Sequence, residues 1–590
     1  MTKTHTDSTT ETTEILSDSP VIPTHSRKVR LARARTDLER QAWPEVPQSI
    51  LDTLMAAGDT LEVRAGQVLF SFGEEGYDFY YIIDGELGIF DPTSNEEVIR
   101  LEPGGFVGEL GMLMCQSAFM TGRMITDGQV LRVRQGRLKE LLQIDPELSA
   151  LIIDAFAARR QQLVDWGEGG VVIIGEDDDP CCVELLSWAN RNRIPHRHVR
   201  RTDTDAIADM KRSCDLPDVD HCIAVVGNAQ VFESPSPLVL AKAVGFDIKA
   251  DNDEVFDIAI IGAGPGGLGA AVYAASEGLR TIIIEDTAIG GQAGTSSRIE
   301  NYLGFPGGIS GSDLAYRAEV QAVKFGAYLT APRRVERLEK RDGIFHLELN
   351  SGDAFRARSV VLATGVQYRR LPLDNLEKFE GAGVYYAATQ LEARFCKNTN
   401  AVIVGGGNSA GQAAMFLSRT ADCTYMLVRG EGLAETMSSY LSDRVESDAR
   451  IRLESESEVV AVHGEDRLER VTVRRNSTGE EYDIDTSALF IMIGARPNTS
   501  WLPDTVKLDA KGFVCTGADA EMHSPFATSL PGLYAVGDVR AGSVKRVASA
   551  AGEGAVVVSF VHGYLAETAH TTHKGGTADI VDQDGARDAA

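Results

Sequence analysis

Hydrophobic and polar positions follow two different patterns along this chain. Between residues 45 and 165 they alternate with a period of two in short runs separated by glycine-containing turns, as in LEVRAGQVLFSFGEEGYDFYYIIDGELGIF. This alternation predicts many short β-strands closed by a helix, and hence a small β-roll or barrel. From residue 168 onward, continuous apolar runs such as GVVIIGE and DIAIIGAG alternate with helical patterns, which predicts buried strands in α/β units.

The region from 168 to 250 contains the elements of one small α/β domain. Its segments follow the order strand, helix, strand, helix, strand, strand, helix. This is the order of a glutaredoxin or thioredoxin fold, so a thioredoxin-like middle domain is expected between the β-roll and the C-terminal region.

A dinucleotide-binding fingerprint lies at residues 257–285, which read DIAIIGAGPGGLGAAVYAASEGLRTIIIE. Gly262, Gly264 and Gly267 allow a tight turn, close approach of the backbone to a pyrophosphate and close helix–strand packing. The helix that follows offers its unpaired N–H groups to the phosphates. Glu285, about 20 residues after the glycines, is placed to accept hydrogen bonds from an adenosine ribose.

A second fingerprint, AVIVGGGNSAGQAAMFLS at 401–418, repeats this pattern with Gly405, Gly407 and Ala410. Two such turns indicate two bound dinucleotides, which points to a flavin and a nicotinamide. Two further apolar strands are expected to close the two nucleotide domains: VVLATG at 360–365 and FIMIGARPNT at 490–499.

With the GGQ turn and the GD motif added, residues 255–565 resemble a low-molecular-weight thioredoxin reductase. The resemblance implies that Gly290, Gly291, Gln292 and Asn301 lie along the flavin, and that Asp538 reaches its ribityl and pyrophosphate region. It also implies the cofactors FAD and NADPH and a homodimer formed through the FAD domain. The other candidate cofactor-binding residues are Pro265, Ala363, Thr364, Gly365, Asn408, Ser409, Gly494, Gly537, Arg546 and Val547.

The expected fold class is a multidomain chain with an N-terminal β-roll, an α/β thioredoxin-like middle domain and a C-terminal pair of Rossmann-type domains. The expected boundaries are a disordered tail at 1–44, the β-roll at 45–165, the middle domain at 168–250, the FAD domain at 255–375 and 499–566, the NAD(P) domain at 376–498, and a disordered tail at 567–590.

The chain departs from this family just before the second fingerprint. The family carries a Cys-x-x-Cys-Asp redox centre there, whereas this chain reads VYYAATQLEARFC. The two cysteine positions fall on Ala388 and Leu391 when counted back from the second fingerprint, or on Ala387 and Gln390 when counted forward. Either register leaves no sulfur. Glu392 takes the place of the acid in the first register, either as a proton donor near the flavin or as a solvated surface glutamate.

Three functions are therefore weighed. The first is an FAD-dependent NADPH oxidoreductase of the thioredoxin reductase type that lacks the Cys-x-x-Cys centre and carries a regulatory N-terminal sensor. Its acceptor is a thioredoxin-like or other redox protein. The second is a ferredoxin or quinone reductase, or an oxidase-like diaphorase. The third is a non-catalytic sensor that holds flavin and nicotinamide structurally.

The choice of nicotinamide rests on the segment TYMLVRGEG at 424–432. Arg429 lies where the family places basic residues against the 2′-phosphate of NADPH, and Arg binds phosphate through charge-assisted hydrogen bonds. The second basic position is Gly430, and Glu431 keeps NADH as the less favoured alternative because an acid near the ribose is typical of NAD sites.

The segment FVGELGML makes residues 45–165 resemble a cyclic nucleotide-binding domain. The resemblance implies that Gly108, Glu109 and Leu110 begin a short helix in the ligand site and that Glu109 holds the ribose 2′-hydroxyl. The family's phosphate-binding Arg is replaced by Ala118, and the nearest arginine is Arg123. A cyclic phosphate without its cationic partner is costly to bury, so the alternatives are a cyclic nucleotide, another small ligand or a docking module without a ligand.

The middle domain carries Asp179, Pro180, Cys181 and Cys182 where the redox family keeps Cys-x-x-Cys at a helix start. Vicinal cysteines do not form an unstrained disulfide, so two-thiol chemistry of the usual kind is not expected. A single thiol that exchanges with a glutathione-like partner and a purely structural spacer domain are both considered. Cys396, near the missing redox centre, is interpreted as an inert small hydrophobe.

Composition excludes several functions. The 590 residues carry 58 Lys and Arg against 86 Asp and Glu, a net charge of −28, which argues against nucleic-acid binding. No apolar run is long enough to cross a membrane, and the N-terminus lacks an apolar signal segment. Eight cysteines without regular spacing fit a reduced cytoplasm. No metal site is predicted.

Overall fold

A computed structural model describes residues 36–574, except for 115, 177–178, 228–229, 246–253, 297–298, 300, 381, 387, 389, 434–436 and 466. The described chain forms four units. They are the β-roll unit (36–167), the middle unit (168–245), the first nucleotide unit (254–368 and 498–574) and the second nucleotide unit (369–497). No helix in the described ranges is long and apolar enough to cross a membrane.

The β-roll unit consists of two antiparallel sheets flanked by helices. One sheet has the strand order β1-β7-β3 and the other β2-β6-β4-β5. Its elements are α1 (Asp37–Ala42), α2 (Gln48–Ala57), β1 (Asp59–Val63), β2 (Val68–Phe70), β3 (Phe79–Asp84), β4 (Leu87–Phe90), β5 (Glu97–Leu101), α3 (Leu110–Leu113), β6 (Thr121–Met124), β7 (Gly128–Val133), α4 (Gln135–Ile144) and α5 (Pro146–Trp166).

Helix α1 lies within the segment that was expected to be a disordered tail. Its first turn is closed by a capping box, in which the Thr36 hydroxyl accepts from the Glu39 N–H and the Glu39 carboxylate accepts from the Thr36 N–H. Its last residue, Ala42, is fully buried. The pairing of α1 with α5 is a tertiary contact, which the polar composition of the tail did not reveal.

The middle unit has the predicted order of elements around one four-stranded sheet. The strand order is β11-β10-β8-β9, with β8 and β9 parallel and β10 antiparallel to both of its neighbours. The elements are β8 (Val171–Ile174), α6 (Pro180–Arg191), β9 (Arg197–Val199), α7 (Thr204–Ser213), β10 (Ile223–Val226), β11 (Gln230–Glu233) and α8 (Pro237–Ala243). The assignment of this unit to a thioredoxin-like fold stays a prediction.

The first nucleotide unit is built on a seven-stranded sheet of order β14-β13-β12-β17-β16-β15, with β27 beside β17. The strands β12, β13, β14, β17 and β27 pair in parallel. Its elements are β12 (Val255–Ile261), α9 (Pro265–Ser276), β13 (Thr281–Ile284), α10 (Gly311–Lys324), β14 (Tyr328–Thr330), β15 (Val335–Arg341), β16 (Ile344–Leu349), β17 (Ala354–Leu362) and β18 (Val366–Tyr368), followed late in the chain by β27 (Leu533–Ala535) and α14 (Val547–Lys574).

The second nucleotide unit repeats this plan with the strand order β22-β21-β20-β25-β24-β23 and β19 beside β25. Its elements are β19 (Val384–Tyr385), α11 (Gln390–Phe395), β20 (Asn400–Val404), α12 (Asn408–Leu417), β21 (Thr424–Leu427), α13 (Ser439–Ser447), β22 (Ile451–Glu454), β23 (Ser457–His463), β24 (Arg470–Arg475), β25 (Glu481–Ile491) and β26 (Ala495–Pro497).

Two features connect the units. Strands β18 and β26 pair antiparallel, with Val366 opposite Pro497, and form the double crossing between the two nucleotide units. Helix α14 packs along α9 and continues to Lys574, beyond the boundary at 566 that the sequence suggested. A single cluster of buried apolar residues runs through the β-roll, middle and first nucleotide units, and includes Phe156, Trp188 and Ile260. These three units therefore share one core.

Candidate functional sites

The first fingerprint forms a turn that only glycine can occupy. Gly262 has φ +102°, and a Cβ on it would lie 2.4 Å from the carbonyl oxygen of Ala363. A Cβ on Gly267 would lie 1.9 Å from the carbonyl oxygen of Gly262, so α9 packs against the turn without space for a side chain. Gly264 precedes Pro265, the first residue of α9, and a Cβ on Gly264 would meet no protein atom within 4 Å. The open space before this helix N-terminus fits the pyrophosphate of a dinucleotide.

Glu285 holds this turn together. Its Oε2 accepts the Ala263 N–H at 2.7 Å, and its Oε1 accepts the N–H groups of Thr287 at 3.0 Å and Ala288 at 3.3 Å. Burial raises the pKa of the Glu285 carboxyl. The predicted hydrogen bond from this carboxylate to a ribose stays a prediction.

The GGQ turn lies against the same fingerprint. The Gly290 N–H donates to the carbonyl of Ala263 at 2.8 Å, and both Gly290 and Gly291 have positive φ angles, +98° and +55°. The side-chain amide of Gln292 donates to the carbonyl of Val366, at the start of β18. The predicted flavin-lining turn is thus tied to the crossing between the nucleotide units. Asn301 lies exposed on the loop that follows.

The other predicted residues of the first nucleotide unit surround the same edge of the sheet. Ala363 follows β17, and its N–H donates to the Ile261 carbonyl at 2.8 Å. Thr364 Oγ1 donates to the carbonyl of Asn498 at 3.1 Å, and Asn498 Nδ2 donates to the carbonyl of Thr364 at 2.9 Å. Gly365, at the end of this strand segment, has φ +61°.

Asp538 lies in a short 3-10 helix, Gly537–Val539, directly after β27. The Gly537 N–H donates to a carboxylate oxygen of Glu553 at 2.7 Å, which fixes this helix against α14. Burial raises the pKa of the Asp538 carboxyl. Arg546 is exposed immediately before α14, which begins at Val547.

The second fingerprint has the same geometry. Gly405 has φ +142°, and a Cβ there would lie 2.5 Å from the Met492 carbonyl oxygen. Gly407 precedes α12 and a Cβ on it would meet no protein atom within 4 Å, so this helix N-terminus is also open. Asn408 Oδ1 accepts the Ser438 N–H at 2.9 Å. Ser409 is exposed, Ala410 is fully buried, and Gly494 has φ +93°. The turn fits a second pyrophosphate.

Three predicted positions in the second nucleotide unit have different surroundings. Arg429 is exposed two residues after β21, where its side chain is available to a ligand phosphate. Cys396 is fully buried in the apolar core of this unit, as the sequence suggested. Glu392 belongs to α11, but its side chain lies outside the described part of the structure.

In the β-roll unit, Glu109 precedes α3 and makes an ion pair that sequence reasoning missed. Its Oε1 accepts the Gly111 N–H at 2.7 Å, and its Oε2 accepts from Arg160 of α5, with the closest N···O distance at 2.7 Å. Gly108 has φ +128° and Leu110 is fully buried. Because Arg160 is 51 residues away in sequence, no local motif pointed to it.

The middle-unit cysteines cluster at the start of α6. Asp179 Oδ1 accepts the N–H groups of Cys181 at 2.9 Å and Cys182 at 3.3 Å. A third thiol, Cys222, hydrogen-bonds with the Cys181 side chain, and burial raises the pKa of both thiols. Cys182 is fully buried with its Sγ 3.6 Å from Nε2 of His198. A raised pKa disfavours the reactive thiolate.

The opposite end of α6 contacts the predicted flavin site. Arg191 Nη2 approaches the carbonyl oxygen of Gly291 at 3.5 Å, and Asn192 Nδ2 donates to the carbonyl of Thr287 at 3.2 Å. Neither residue had been singled out from the sequence. The middle unit is therefore in direct contact with the GGQ turn.

Comparison with known proteins identifies two families in this chain. The family model "Pyridine nucleotide-disulphide oxidoreductase" matches residues 256–554, and "Cyclic nucleotide-binding domain" matches residues 60–145. The thioredoxin reductase of Treponema pallidum (strain Nichols) is 37% identical over 310 residues, which are 52% of this chain and 97% of that protein.

Two further proteins are similar to this chain over about half of its length. The thioredoxin reductase of Streptomyces clavuligerus is 33% identical over 317 residues, 54% of this chain and 96% of that protein. The crystal structure of thioredoxin reductase from Streptococcus pyogenes is 30% identical and covers 53% of this chain and 99% of its own, with a TM-score of 0.49.

The two glycine turns and the paired Rossmann-type units define a flavoprotein that uses a nicotinamide nucleotide. The chain belongs to the pyridine nucleotide-disulphide oxidoreductase family, within which it resembles thioredoxin reductases, and it carries an N-terminal cyclic nucleotide-binding domain. It is an FAD-dependent NAD(P)H oxidoreductase, and the cofactors expected from the sequence, FAD and NADPH, are those of the family. Both resemblances stated from the motifs are confirmed.

Proposed function

We propose that this protein is an NADPH oxidoreductase that passes electrons from FAD directly to an acceptor bound from outside, without a resident dithiol. FAD, when bound, accepts a hydride from nicotinamide and delivers the electrons onward. The observation that carries the proposal is the lack of cysteine at the two positions where the resembled reductases have their redox pair. These positions are Ala388 and Leu391, or Ala387 and Gln390 in the other register.

The chain's own residues would bind and orient the two nucleotides. Gly264 and Gly407 leave open helix N-termini for the two pyrophosphates, and the exposed Arg429 would bind the 2′-phosphate of NADPH. Hydride transfer requires the nicotinamide and the flavin ring to approach within about 3.5 Å. We assign this approach to rotation of the second nucleotide unit about the β18–β26 crossing, where Gly365 and Gly494 have positive φ angles.

The middle-unit thiols are poorly placed to replace the missing dithiol. Helix α6 has 12 residues, with Cys181 near its start and Arg191 at its end. A rise of about 1.5 Å per residue separates these two positions by roughly 15 Å. Since the Arg191 end is the one that contacts Gly291, the thiols lie away from the GGQ turn. This separation supports an external acceptor and a structural role for the thioredoxin-like unit.

The acceptor classes we propose are a ferredoxin, a quinone, molecular oxygen or a thioredoxin-like protein that docks at the flavin. A non-catalytic sensor is the remaining alternative, and the two complete glycine turns weigh against it because a scaffold has no need for both. We further propose that the protein works as a homodimer in the cytoplasm, the latter because its eight cysteines have no disulfide-type spacing.

We also propose that the β-roll unit regulates the reductase. Helix α10 lies between the two sites. A Cβ on Gly290 of the GGQ turn would lie 2.6 Å from Ala315 Cβ of α10, and Glu319, on the same helix, experiences the charge of Arg160. Arg160 in turn pairs with Glu109 in the β-roll. A change in the Glu109–Arg160 pair can therefore reach the GGQ turn through α10. Such a connection is what a ligand in the β-roll needs in order to shift the population between two states of the reductase.

The test is an anaerobic titration of the purified protein with NADPH and, separately, with NADH, followed by loss of the oxidised-flavin absorbance. Bleaching by NADPH at one equivalent, followed by reoxidation with one acceptor class, is the expected result. A flavin that stays oxidised with both nucleotides would support the non-catalytic sensor instead.

A Cys181→Ser/Cys182→Ser double variant separates the external acceptor from a thiol relay. We expect its rate of acceptor reduction to equal that of the wild type. A large loss of disulfide reduction in this variant, with flavin bleaching by NADPH unchanged, would show that the middle-unit thiols do carry electrons and would overturn the proposal.

A further inference from the structure

The β-roll unit encloses a pocket whose walls are mostly apolar. The space between the protein atoms amounts to about 530 Å³, part of it open to solvent. The apolar lining includes Phe70, Ile89, Leu101, Phe119, Met120 and Trp166. Ala118, at the position where the resembled family has its phosphate-binding arginine, is 2% exposed and contributes only a methyl group to the wall.

Glu109, the family's ribose-binding acid, is already engaged within the protein. One of its oxygens accepts the Gly111 N–H and the other accepts from Arg160. Arg160 also donates to Gln116 Oε1 at 3.0 Å. The carboxylate is thus neutralised by a buried partner, and neither a free acid for a sugar hydroxyl nor an arginine at position 118 for a cyclic phosphate is present.

Arg159, which lines the pocket, has a buried N–H group without a hydrogen-bond partner among the described residues. Arg159 is 4% exposed; its Nε donates to the carbonyl of Ala42 and its Nη1 to the carbonyl of Gly108, both at 2.8 Å. Within the described part of the chain, its Nη2 has no hydrogen-bond partner. The guanidinium lies 4.0 Å from the ring centroid of Trp43. Burial lowers the pKa of Arg159 to about 9, so the group is still cationic at neutral pH.

Gln162, one helical turn further along α5, lines the pocket as well and leaves a second donor without a partner. Its Oε1 accepts from Trp43 Nε1 at 3.1 Å, while its buried Nε2 has no partner among the described residues. Residues three apart on a helix share one face. Arg159 and Gln162 therefore both line the pocket, and each has a buried N–H group without a partner among the described residues. An unpaired buried donor is costly unless an acceptor reaches it.

We propose that this pocket binds an apolar carboxylate, with the acid group on Arg159 Nη2 and Gln162 Nε2 and the hydrocarbon or aromatic body against the apolar wall. The charge balance agrees with this ligand class. Arg160 is paired with Glu109, which leaves Arg159 as the cation in the pocket lining without an ion-pair partner among the described residues. A bound carboxylate would supply its counter-charge. The apolar wall suits a hydrocarbon body and offers few partners to the hydroxyls and base edge of a nucleotide.

The test is isothermal titration of the full-length protein with sodium decanoate, with methyl decanoate and 1-decanol as neutral controls and cyclic AMP and cyclic GMP as competitors. Quenching of tryptophan fluorescence gives a second readout, because Trp43 and Trp166 line the pocket. We expect decanoate to bind and the neutral analogues to bind about tenfold more weakly or less, since a hydrogen bond to a charged group is lost. We expect the cyclic nucleotides not to displace decanoate.

Variants locate the site. Arg159→Gln is expected to weaken decanoate binding about tenfold or more, and Gln162→Leu about twofold to tenfold. Ala118→Phe would fill the pocket and abolish binding, and it leaves every polar contact of Arg159 in place. The exposed Arg134→Gln is the matched control and should bind like the wild type. Circular dichroism verifies that each variant is folded.

Three outcomes would overturn the proposal. The first is equal binding of decanoate and its methyl ester, and the second is undiminished binding by folded Ala118→Phe. The third is binding of a cyclic nucleotide with no binding of decanoate, which would show that the pocket binds the ordinary ligand of its family. None of these readouts depends on flavin reduction. A failure of this proposal can therefore be told apart from a failure of the proposed reductase function.

Discussion

Arg193 of the middle unit donates to Asp313 of α10 in the first nucleotide unit, with an Nη2–Oδ1 distance of 2.6 Å. The same guanidinium donates to Gln161 of the β-roll at 2.5 Å and lies 4.2 Å from the ring centroid of Tyr316. One side chain of the middle unit thus contacts both the β-roll unit and the first nucleotide unit. Gln161, Asp313 and Tyr316 belong to the two neighbouring units. We therefore infer that Arg193 connects the β-roll unit to the first nucleotide unit.

The Arg193→Met substitution should loosen this junction. Losing one partly exposed ion pair and one amide hydrogen bond is expected to lower the free energy of unfolding by about 1–2 kcal/mol, since exposed pairs contribute little and each hydrogen bond about 1. Urea denaturation measures the change, and limited proteolysis between the units should become faster. Arg337→Met, on an exposed strand position, is the control. Equal proteolysis of wild type and Arg193→Met would show that Arg193 does not hold the units together.

We expect Glu319 to make the stability of the fold depend on pH. Burial raises the pKa of this α10 carboxyl from 4.5 to about 7, with Arg160 and Arg193 acting in the opposite direction. Because the folded protein holds this proton more tightly than the unfolded chain, stability falls as the pH rises from about 4.5 to 7 and is constant above that range. The shift corresponds to about 3 kcal/mol.

The Glu319→Gln substitution should remove this dependence. The variant and the wild type are expected to unfold with similar free energies at pH 5, whereas the variant is more stable at pH 8. Denaturant titrations at pH 5, 6, 7 and 8 measure the difference, and the exposed Glu336→Gln serves as the control. A constant difference across these pH values would show that Glu319 does not titrate in this range.

The two open helix N-termini provide a matched pair of cofactor variants. A Cβ on Gly264 or Gly407 meets no protein atom within 4 Å, so alanine should be tolerated by the apoprotein and should occupy only ligand space. Gly264→Ala is expected to lower the flavin content of the purified protein, as measured by the ratio of flavin to protein absorbance. Gly407→Ala should keep its flavin and raise the KM for NADPH about tenfold, through loss of N–H contacts to phosphate. Full flavin occupancy in Gly264→Ala would contradict the assignment.

Arg429 decides between the nicotinamide nucleotides. Arg429→Ala is expected to lower kcat/KM for NADPH about tenfold to a hundredfold, the effect of losing a charged hydrogen bond to the 2′-phosphate, and to leave NADH turnover unchanged. Steady-state kinetics with both nucleotides measures this. Glu431→Gln, two residues away and also exposed, is the companion variant. If Arg429→Ala lowers kcat/KM equally for both nucleotides, Arg429 does not bind the 2′-phosphate.

Gly494 tests the proposed rotation. Its φ of +93° is strained for any residue with a side chain, although a Cβ there would meet no neighbouring atom. Gly494→Ala therefore adds backbone strain alone, about 1–2 kcal/mol, at the end of the β18–β26 crossing. We expect flavin reduction by NADPH in anaerobic stopped flow to change about fivefold to thirtyfold. Gly479→Ala, with φ +74° and equal free space on a distant hairpin, should reduce its flavin at the wild-type rate.

The residue pattern by itself determined most of the architecture. The strand, glycine turn and helix of each fingerprint are adjacent in sequence, so their local geometry is encoded locally, and Gly262 and Gly405 adopt the positive φ angles that such turns require. The alternation of residues 45–165 predicted the β-roll for the same reason. The absence of cysteines at 387–391 is likewise a property of the sequence alone.

Only the tertiary structure decided which charged groups meet. Arg160 lies 51 residues from Glu109, and Arg193 lies 120 residues from Asp313. Helix α1 was expected to be a tail because its composition is polar, yet its buried Ala42 accepts a hydrogen bond from Arg159. Contacts of this kind depend on the packing of whole units against a shared core, and sequence spacing carries no signal for them. The same packing left Arg159 Nη2 without a hydrogen-bond partner among the described residues, in a side chain that lines a mostly apolar pocket, and this is the basis for the proposed carboxylate site.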